Sequence, residues 1–300
     1  MRFASLGSGS EGNSLLVAVG TKSACPGTST NSSCPGTGTK SSGPGTRTKS
    51  ACTGTSTKSS GPGTRQTHVL MDCGFGLKDT VSRLARLGVS PDQLSGIVVT
   101  HEHGDHVSGV ARLARKYNLP VWLTHGTLRN QLAAFAGLVN IHEIDPHRAF
   151  AIGDIEITPY PVPHDAAEPV QFVFSDGARR LGVLTDTGCS TAHIEQTLSG
   201  CHALVLECNH DTEMLMNGDY PYSLKQRVGG RFGHLNNQES AGILARLDVS
   251  RLQHLIAAHL SRKNNTPELA VRALSVAAGC EESWVGVATQ QDGFAWREIS

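Results

Sequence analysis

Three features are missing from this 300-residue sequence: a long hydrophobic run, a surplus of one charge, and paired cysteines. No apolar run approaches the roughly 20 residues that span a bilayer, and residues 1–7 lack the apolar core of a signal peptide. The eight cysteines include no C-x-x-C pair, so neither a disulfide framework nor a structural zinc ribbon is indicated. We therefore expect a cytoplasmic protein without a membrane segment.

Charge is balanced overall but unevenly distributed along the chain. Basic and acidic side chains number 26 each, and residues 21–65 hold six of the basic ones and none of the acidic ones. The rest of the chain is therefore acidic, with 20 basic against 26 acidic side chains. An acidic body argues against a broad, non-specific surface for wrapping DNA.

Residues 21–65 are an internal repeat of five nine-residue units. The units read TKSACPGTS, TNSSCPGTG, TKSSGPGTR, TKSACTGTS and TKSSGPGTR. Gly, Ser, Thr, Pro and Lys offer nothing to bury, so the entropy lost on ordering would not be offset. We predict a disordered loop insertion within a single domain that spans residues 1–300. The alternative is a basic arm that holds nucleic acid.

The rest of the chain alternates between short apolar runs and amphipathic segments. Strands are predicted at 14–19, 68–72, 96–100, 120–124, 141–144, 155–160, 171–175, 181–185, 203–206 and 255–258. Helices are predicted at 78–87, 107–117, 127–135, 191–198, 222–228, 237–247 and 267–278. The first strands come in pairs and the later ones alternate with helices, which favours two sheets packed together with helices outside.

One segment concentrates metal-binding side chains. The apolar run Ile97-Val98-Val99 leads into Thr100-His101-Glu102-His103-Gly104-Asp105-His106. Neutral imidazoles and carboxylates are the ligands that zinc and similar divalent ions prefer. Helical spacing would place the three histidines on different faces, so we predict a loop. The order H-x-H-x-D-H is far more specific than a histidine-rich surface, and it indicates a metal site.

The H-x-H-x-D-H loop after a strand resembles the signature of the metallo-β-lactamase-fold hydrolases. The resemblance implies an α/β fold: a four-layer αββα sandwich, with two mixed β-sheets packed face to face and helices outside. In that family the first two histidines bind one metal ion, and the aspartate and last histidine bind a second.

Three further residues stand where predicted strands end. His164 follows the stiff segment Pro159-Tyr160-Pro161-Val162-Pro163, while Asp186 and His259 each close an apolar run. Taken singly, each of them is more often a structural residue or a turn former. The order of metal ligands in the family implies that all three are ligands. By this resemblance one ion is held by His101, His103 and His164, a second by Asp105, His106 and His259, and Asp186 bridges the two.

Several other sequence segments resemble those of one bacterial subgroup, YycJ (WalJ). Members of this subgroup are associated with 5′-to-3′ exonuclease activity on DNA. The segments are Ser5-Leu6-Gly7-Ser8-Gly9-Ser10-Glu11-Gly12-Asn13, Leu206-Glu207-Cys208-Asn209-His210-Asp211, Gly233-His234-Leu235-Asn236-Asn237 and His259-Leu260-Ser261. The resemblance covers nearly the whole chain except residues 21–65, which the family lacks.

The expected chemistry is phosphodiester hydrolysis with two divalent ions. Zinc is the expected metal, with manganese or iron as alternatives. Two ions about 4 Å apart lower the pKa of a bridging water, so that hydroxide exists at neutral pH. We expect Asp105 and Asp186 to serve this chemistry and His234 to contact phosphate or donate a proton. We expect Asp72 to anchor a ligand imidazole from behind.

Three functions remain open at this point. The first is a nuclease with DNA as its substrate. The second is a hydrolase of a small molecule, either a cyclic phosphodiester or a thioester. The third is a non-catalytic binding protein of the same fold, against which the intact ligand set argues. The sequence does not decide the oligomeric state.

Overall fold

Fourteen strands form two stacked sheets in the computed structural model, which describes residues 1–20 and 66–300. The prediction of disorder for residues 21–65 lies outside the described residues. The strands are β1 Arg2–Gly7, β2 Ser14–Val19, β3 Thr67–Met71, β4 Gly96–Val98, β5 Val121–Thr124, β6 Ile141–Ile144, β7 Phe150–Ile152, β8 Ile155–Pro161, β9 Val170–Ser175, β10 Arg180–Leu184, β11 Ala203–Glu207, β12 His254–Ala258, β13 Val285–Val287 and β14 Phe294–Glu298.

Each sheet has seven strands and mixes parallel with antiparallel pairs. The first runs in the order β14-β1-β2-β3-β4-β5-β6, and the second in the order β13-β12-β11-β10-β9-β8-β7. β2 and β3 pair antiparallel with Leu16 opposite Leu70, so the strands on either side of residues 21–65 are neighbours in the first sheet. β10, β11, β12 and β13 are parallel, so their carboxyl ends meet at one edge of the second sheet.

Helices cover the outer face of both sheets. They are α1 Leu77–Arg86, α2 Gly104–Val107, α3 Val110–Tyr117, α4 His125–Phe135, α5 Ala192–Leu198, α6 Thr212–Asn217, α7 Tyr222–Val228, α8 Asn237–Leu244 and α9 Pro267–Ala278. Short 3₁₀ turns span Pro91–Gln93 and Glu282–Trp284. The described part of the chain contains no helix with the length and apolarity that a bilayer crossing requires.

The apolar strand runs follow from burial on both faces. Along β2, Leu15 and Val17 point into the core between the sheets, whereas Leu16 points out toward the helices that cover the first sheet. Along β11, Val205 faces the core between the sheets and Leu204 faces the helices on the other side. Strands covered on both sides are hydrophobic throughout instead of alternating. The predicted four-layer αββα sandwich is therefore confirmed.

The structure corrects the predicted helix at 107–117. Two helices, α2 and α3, meet at Gly109, where a Cβ atom would lie 2.1 Å from the Phe75 carbonyl oxygen and 2.7 Å from Cys73 Sγ. This close approach needs glycine, and the Gly109 N–H donates to the Cys73 carbonyl. The metal-loop prediction is also partly wrong, because Asp105 and His106 lie on the single turn of α2.

Some elements of the structure are not predicted by the sequence patterns. They are β1, β7, β13, β14 and α6. These segments are short, or they rely on partners distant in sequence. β1, for example, lies between β2 and the distant β14.

Candidate metal centre

The seven predicted ligands converge at one edge of the sandwich as two adjacent groups. In the first group, donor atoms of His101, His103 and His164 lie within 4.8 Å of one another. In the second group, the same holds for Asp105, His106, Asp186 and His259. They come from four places: the segment after β4 with the turn of α2, and the segments after β8, β10 and β12.

The first group is held by hydrogen bonds on the outer side of its imidazole rings. His101 Nδ1 lies 3.0 Å from Thr100 Oγ1, and His164 Nδ1 donates to the Gly233 carbonyl at 3.0 Å. His164 Nε2 thereby faces His103 Nδ1 at 3.2 Å. His101 Nε2 is buried and has no partner among the described residues. A buried lone pair without a donor costs free energy unless it ligates something.

The second group is compact and carries two carboxylates. His106 Nε2 lies 3.2 Å from one Asp186 oxygen, and His259 Nε2 lies 3.4 Å from the other. Asp105 Oδ2 is 3.4 Å from both imidazoles. Two imidazoles and two carboxylates form a donor set that divalent transition metals prefer.

Asp72 fixes this arrangement from behind. Its Oδ1 accepts from the Thr100 N–H at 2.8 Å, and its Oδ2 accepts from the Thr100 hydroxyl at 2.9 Å and from His106 Nδ1 at 2.9 Å. The Nδ1 proton is therefore committed to Asp72, and Nε2 of His106 is free to act as a ligand. This is the anchoring role that the sequence analysis expected for Asp72.

Strained backbone occurs where ligands leave the strands. Among the described residues the non-glycine positions with positive φ are Asp72 at 58°, Asn118 at 51°, Asp186 at 53° and His259 at 56°. Asn118 ends helix α3. The other three belong to the site: Asp72 and His259 directly follow β3 and β12, and Asp186 lies two residues after the end of β10. Such strain is uncommon outside glycine and concentrates at functional sites, where the surrounding structure enforces it.

The electrostatics of the second group favour a cation. Burial lowers the pKa of His259, but neighbouring carboxylates led by Asp186 raise that pKa to about 10. Burial acts the same way on His106, yet Asp186 and Asp105 bring its pKa well above the usual range. Burial raises the pKa of Asp105, but the imidazoles of His106 and His259 outweigh burial, so the pKa of Asp105 is lowered. A site that stabilises positive charge on two buried imidazoles fits a divalent ion.

His234 and Glu207 form a pair beside the second group. Glu207 is fully buried and its Oε1 accepts from His234 Nδ1 at 2.7 Å. Burial raises the pKa of Glu207, but His234 lowers it to about 2, so the carboxylate is ionised. Glu207 Oε2 also accepts from the N–H groups of Thr187 and Leu235. Glu207 therefore positions His234, and its Oε1 also lies 3.4 Å from Nδ1 of His259.

Two further residues at the site were not predicted individually from the sequence. Asn13 Nδ2 donates to Asp105 Oδ2 at 3.1 Å, and the Asn13 N–H donates to the Asp105 carbonyl at 2.7 Å. Asp165 accepts from Arg227 Nε at 2.6 Å and lies 3.5 Å from His164 Nε2. Both could have been recognised from the sequence. Asn13 lies in the N-terminal segment that carries the family resemblance, and Asp165 directly follows the predicted ligand His164.

Other polar residues singled out in the sequence have structural positions. Asp211 caps α6, since its Oδ1 accepts from the Met214 N–H at 2.9 Å. Several further histidines belong to none of the ligand groups that the described residues form. They are His68, His125, His142, His147, His193, His202 and His254.

A cavity of about 320 Å³ opens over both ligand groups. His103, Asp105, Asp186, His234 and His259 line it. The ligands are therefore open to a molecule that enters from solvent.

Comparison with known proteins assigns the family. Residues 67–259 match the model of the Beta-lactamase superfamily domain. The chain belongs to this superfamily. Exodeoxyribonuclease YycJ of Bacillus anthracis is 37% identical over 225 residues, which span 73% of this chain and 83% of that protein. Exodeoxyribonuclease WalJ of Streptococcus pneumoniae is 34% identical over 206 residues, spanning 67% of this chain and 77% of that protein.

Solved structures show the same superfamily fold. Zinc-bound PqqB of Methylobacterium extorquens matches over 100% of both chains with a TM-score of 0.63 and 16% identity. YhfI of Bacillus subtilis, a metallo-β-lactamase-fold protein, has a TM-score of 0.60 and 18% identity over 77% of this chain and 88% of its own. The superfamily, the named relatives and the two ligand groups together identify the protein as a metal-dependent hydrolase that uses divalent ions.

Proposed function

We propose that this protein is a DNA exonuclease that cleaves phosphodiester bonds in the 5′-to-3′ direction with two divalent ions. The observation that carries the proposal is the presence of two ligand groups, which open into one cavity beside the Glu207–His234 pair. The similarity to two exodeoxyribonucleases favours DNA as the substrate. The five cysteines in the described ranges are free, which supports the reducing cytoplasm as the compartment.

The residues divide into two ion sites. His101, His103 and His164 would hold one ion; Asp105, His106 and His259 would hold the other; Asp186 would bridge them. When bound, the two ions supply Lewis acidity that makes water nucleophilic at neutral pH and offsets charge on the phosphoryl oxygens. Zinc suits the imidazole-rich first group, with manganese or iron as alternatives.

Asp105 is placed to orient the attacking water. Its carboxylate lines the cavity, and only its Oδ2 is bound, by Asn13 Nδ2 and the ligand imidazoles. Its pKa is lowered chiefly by His106 against the effect of burial, so it stays ionised and accepts a hydrogen bond from water. Asp186 is the more deeply buried of the two carboxylates and serves both ion sites.

His234 is placed to protonate the leaving oxygen. Glu207 holds its Nδ1, and the ring lines the cavity, so Nε2 is the nitrogen available to substrate. A third set of possible ligands contains Asp186, Glu207, His234 and His259. We favour the proton-donor role because His234 Nδ1, the atom facing this set, is already bound to Glu207 at 2.7 Å.

Incubating the metal-loaded protein with end-labelled single- and double-stranded DNA, RNA and a cyclic dinucleotide tests the proposal. We expect mononucleotides released from the 5′ end of DNA, with little cleavage of the cyclic substrate. Preferential hydrolysis of the cyclic dinucleotide would instead indicate a small-molecule phosphodiesterase. A His101→Ala variant, which removes a ligand of the first group, is the matched control and should release no product.

A further inference from the structure

One segment at the rim of the cavity differs in charge from the rest of the body. Residues 220–234 contain three cationic side chains, three aromatic ones other than histidine and no acidic ones. Tyr220, Arg227 and His234 of this segment line the cavity. In an otherwise acidic body, this composition marks a place where an anion with flat, apolar groups would be favoured.

Arg227 is oriented so that its charged end is free. Its Nε donates to Asp165 Oδ2 at 2.6 Å, and its terminal nitrogens have no acceptor within residues 1–20 and 66–300. Asp165 also fixes the first ligand group, because its carbonyl oxygen accepts from His103 Nε2 at 3.2 Å. The guanidinium is therefore held at a defined distance from the reacting centre, with a planar edge that suits phosphate.

Phe232 presents an aromatic ring from a fixed backbone. Its side chain is 61% exposed, whereas its carbonyl accepts from the Asp165 N–H at 3.0 Å. A Cβ atom at Gly188 would lie 2.5 Å from the Phe232 nitrogen, so the backbone packs tightly there. An exposed ring whose main chain is anchored beside the site is arranged for contact with a ligand rather than for the core.

A second cation lies beside Tyr220 at the rim of the cavity. The Lys263 ammonium lies 5.6 Å from the centre of the Tyr220 ring, and Lys263 is exposed. Its neighbour Asn264 lines the cavity. The ammonium stands over one face of the Tyr220 ring, and the ring still lines the cavity, where a base can stack on it.

We propose that Tyr220, Arg227, Phe232 and Lys263 form a strand-binding surface for single-stranded DNA. Arg227 and Lys263 bind phosphates, and Tyr220 and Phe232 stack on bases next to the cleaved linkage. The inference rests on the proposed function and narrows it, because bases paired within a duplex are not free to stack on these rings.

Substrate length separates this surface from the reacting centre. For the metal-loaded full-length protein, kcat/KM is measured on 5′-phosphorylated oligothymidylates of two and eight nucleotides. The wild-type ratio between the octamer and the dinucleotide should exceed about tenfold, because stacking of a base on an aromatic ring contributes about 1–3 kcal/mol. The dinucleotide rate also shows, within each variant, that the reacting centre is intact.

Substitutions at two exposed positions should reduce this ratio. In Phe232→Ala we expect a fall of about fivefold or more, carried by KM. In Arg227→Gln the ratio should fall as well, and the dependence of log KM on log salt should weaken by about 0.7 for one lost phosphate contact. Trp284→Ala and Arg272→Gln, which change exposed residues that do not line the cavity, are the matched controls and should keep the wild-type ratio.

The possible failures are distinguishable. Cleavage of both lengths with equal efficiency, variants that keep the wild-type ratio, or higher efficiency on an octamer duplex would overturn the strand-binding surface and leave the exonuclease proposal standing. Absence of hydrolysis of every oligonucleotide would overturn the proposed function, and the inference would fall with it.

Discussion

Replacing Asp72 by Asn tests the architecture of the metal centre through a residue that is not itself a ligand. The Asp72 carboxylate is buried and accepts hydrogen bonds from the Thr100 N–H, the Thr100 hydroxyl and His106 Nδ1. Asn keeps one of the two oxygens and replaces the other with an NH₂ donor. The backbone φ of 58° is one that Asn tolerates, so the substitution isolates the hydrogen bonds from backbone strain.

The expected losses of stability and of metal affinity follow from the two groups that donate hydrogen bonds to Asp72 Oδ2. With an NH₂ group in that place, the Thr100 hydroxyl and His106 Nδ1 each lose a buried acceptor at a cost of about 1–3 kcal/mol. That loss is a large part of a total stability of about 5–15 kcal/mol. His106 can avoid it by moving its proton to Nε2, which removes the lone pair that faces Asp186. Loss of such a partner lowers metal affinity about 10- to 100-fold.

The measurements are metal content and turnover. Asp72→Asn should retain the first ion, lose the second at lower chelator concentration than the wild type, and show a matching fall in kcat on end-labelled DNA. Its melting temperature without metal should also be lower. Asp92→Asn, at an exposed position in a 3₁₀ turn, is the control. Two ions bound at wild-type affinity with wild-type turnover would refute the role assigned to Asp72.

Three further predictions concern the ligands, the proton donor and the repeat. His103→Ala and Asp186→Ala should abolish phosphodiester hydrolysis without unfolding; retained activity in either, measured beside circular dichroism, contradicts the ligand assignment. Glu207→Gln should lower kcat more than metal content, because Glu207 Oε1 binds His234 Nδ1 at 2.7 Å and makes only a longer contact of 3.4 Å with Nδ1 of the ligand His259; a loss of metal that matches the loss of kcat would show that Glu207 acts through an ion site. Deletion of residues 21–65 should leave melting temperature and turnover nearly unchanged, since β2 and β3 already pair through Val19 and Thr67; a large loss would assign the repeat a function.

Local patterns identified most of the elements and one half of the centre. Apolar runs of strand length predicted β2 and β12, and they are buried on both faces because helices cover each sheet. The H-x-H-x-D-H segment could be recognised as a metal site because its ligands lie close together in the sequence. The break between α2 and α3 was missed because it depends on the approach of Gly109 to Phe75, a contact between distant segments.

Hydrogen-bond partners could not be predicted in the same way. Asp165 and Arg227 are separated by 62 residues, and nothing in their local sequences indicates the ion pair between them. The position of Asn13 beside Asp105 likewise depends on the turn after β1 meeting the turn of α2. Such contacts follow from how the two sheets stack and not from the periodicity of any one strand.

The sequence by itself determined the residue types of the centre and the strands that deliver them. Side chains that follow apolar runs reach a common edge once those runs become parallel strands, and this periodicity is local information. Only the tertiary structure decided which imidazole nitrogen faces inward, since that depends on Thr100, Gly233 and Asp72 binding the outer nitrogens. The physical reason is that strands are set by short-range patterns, whereas the donor geometry of a buried site is set by partners that only folding brings together.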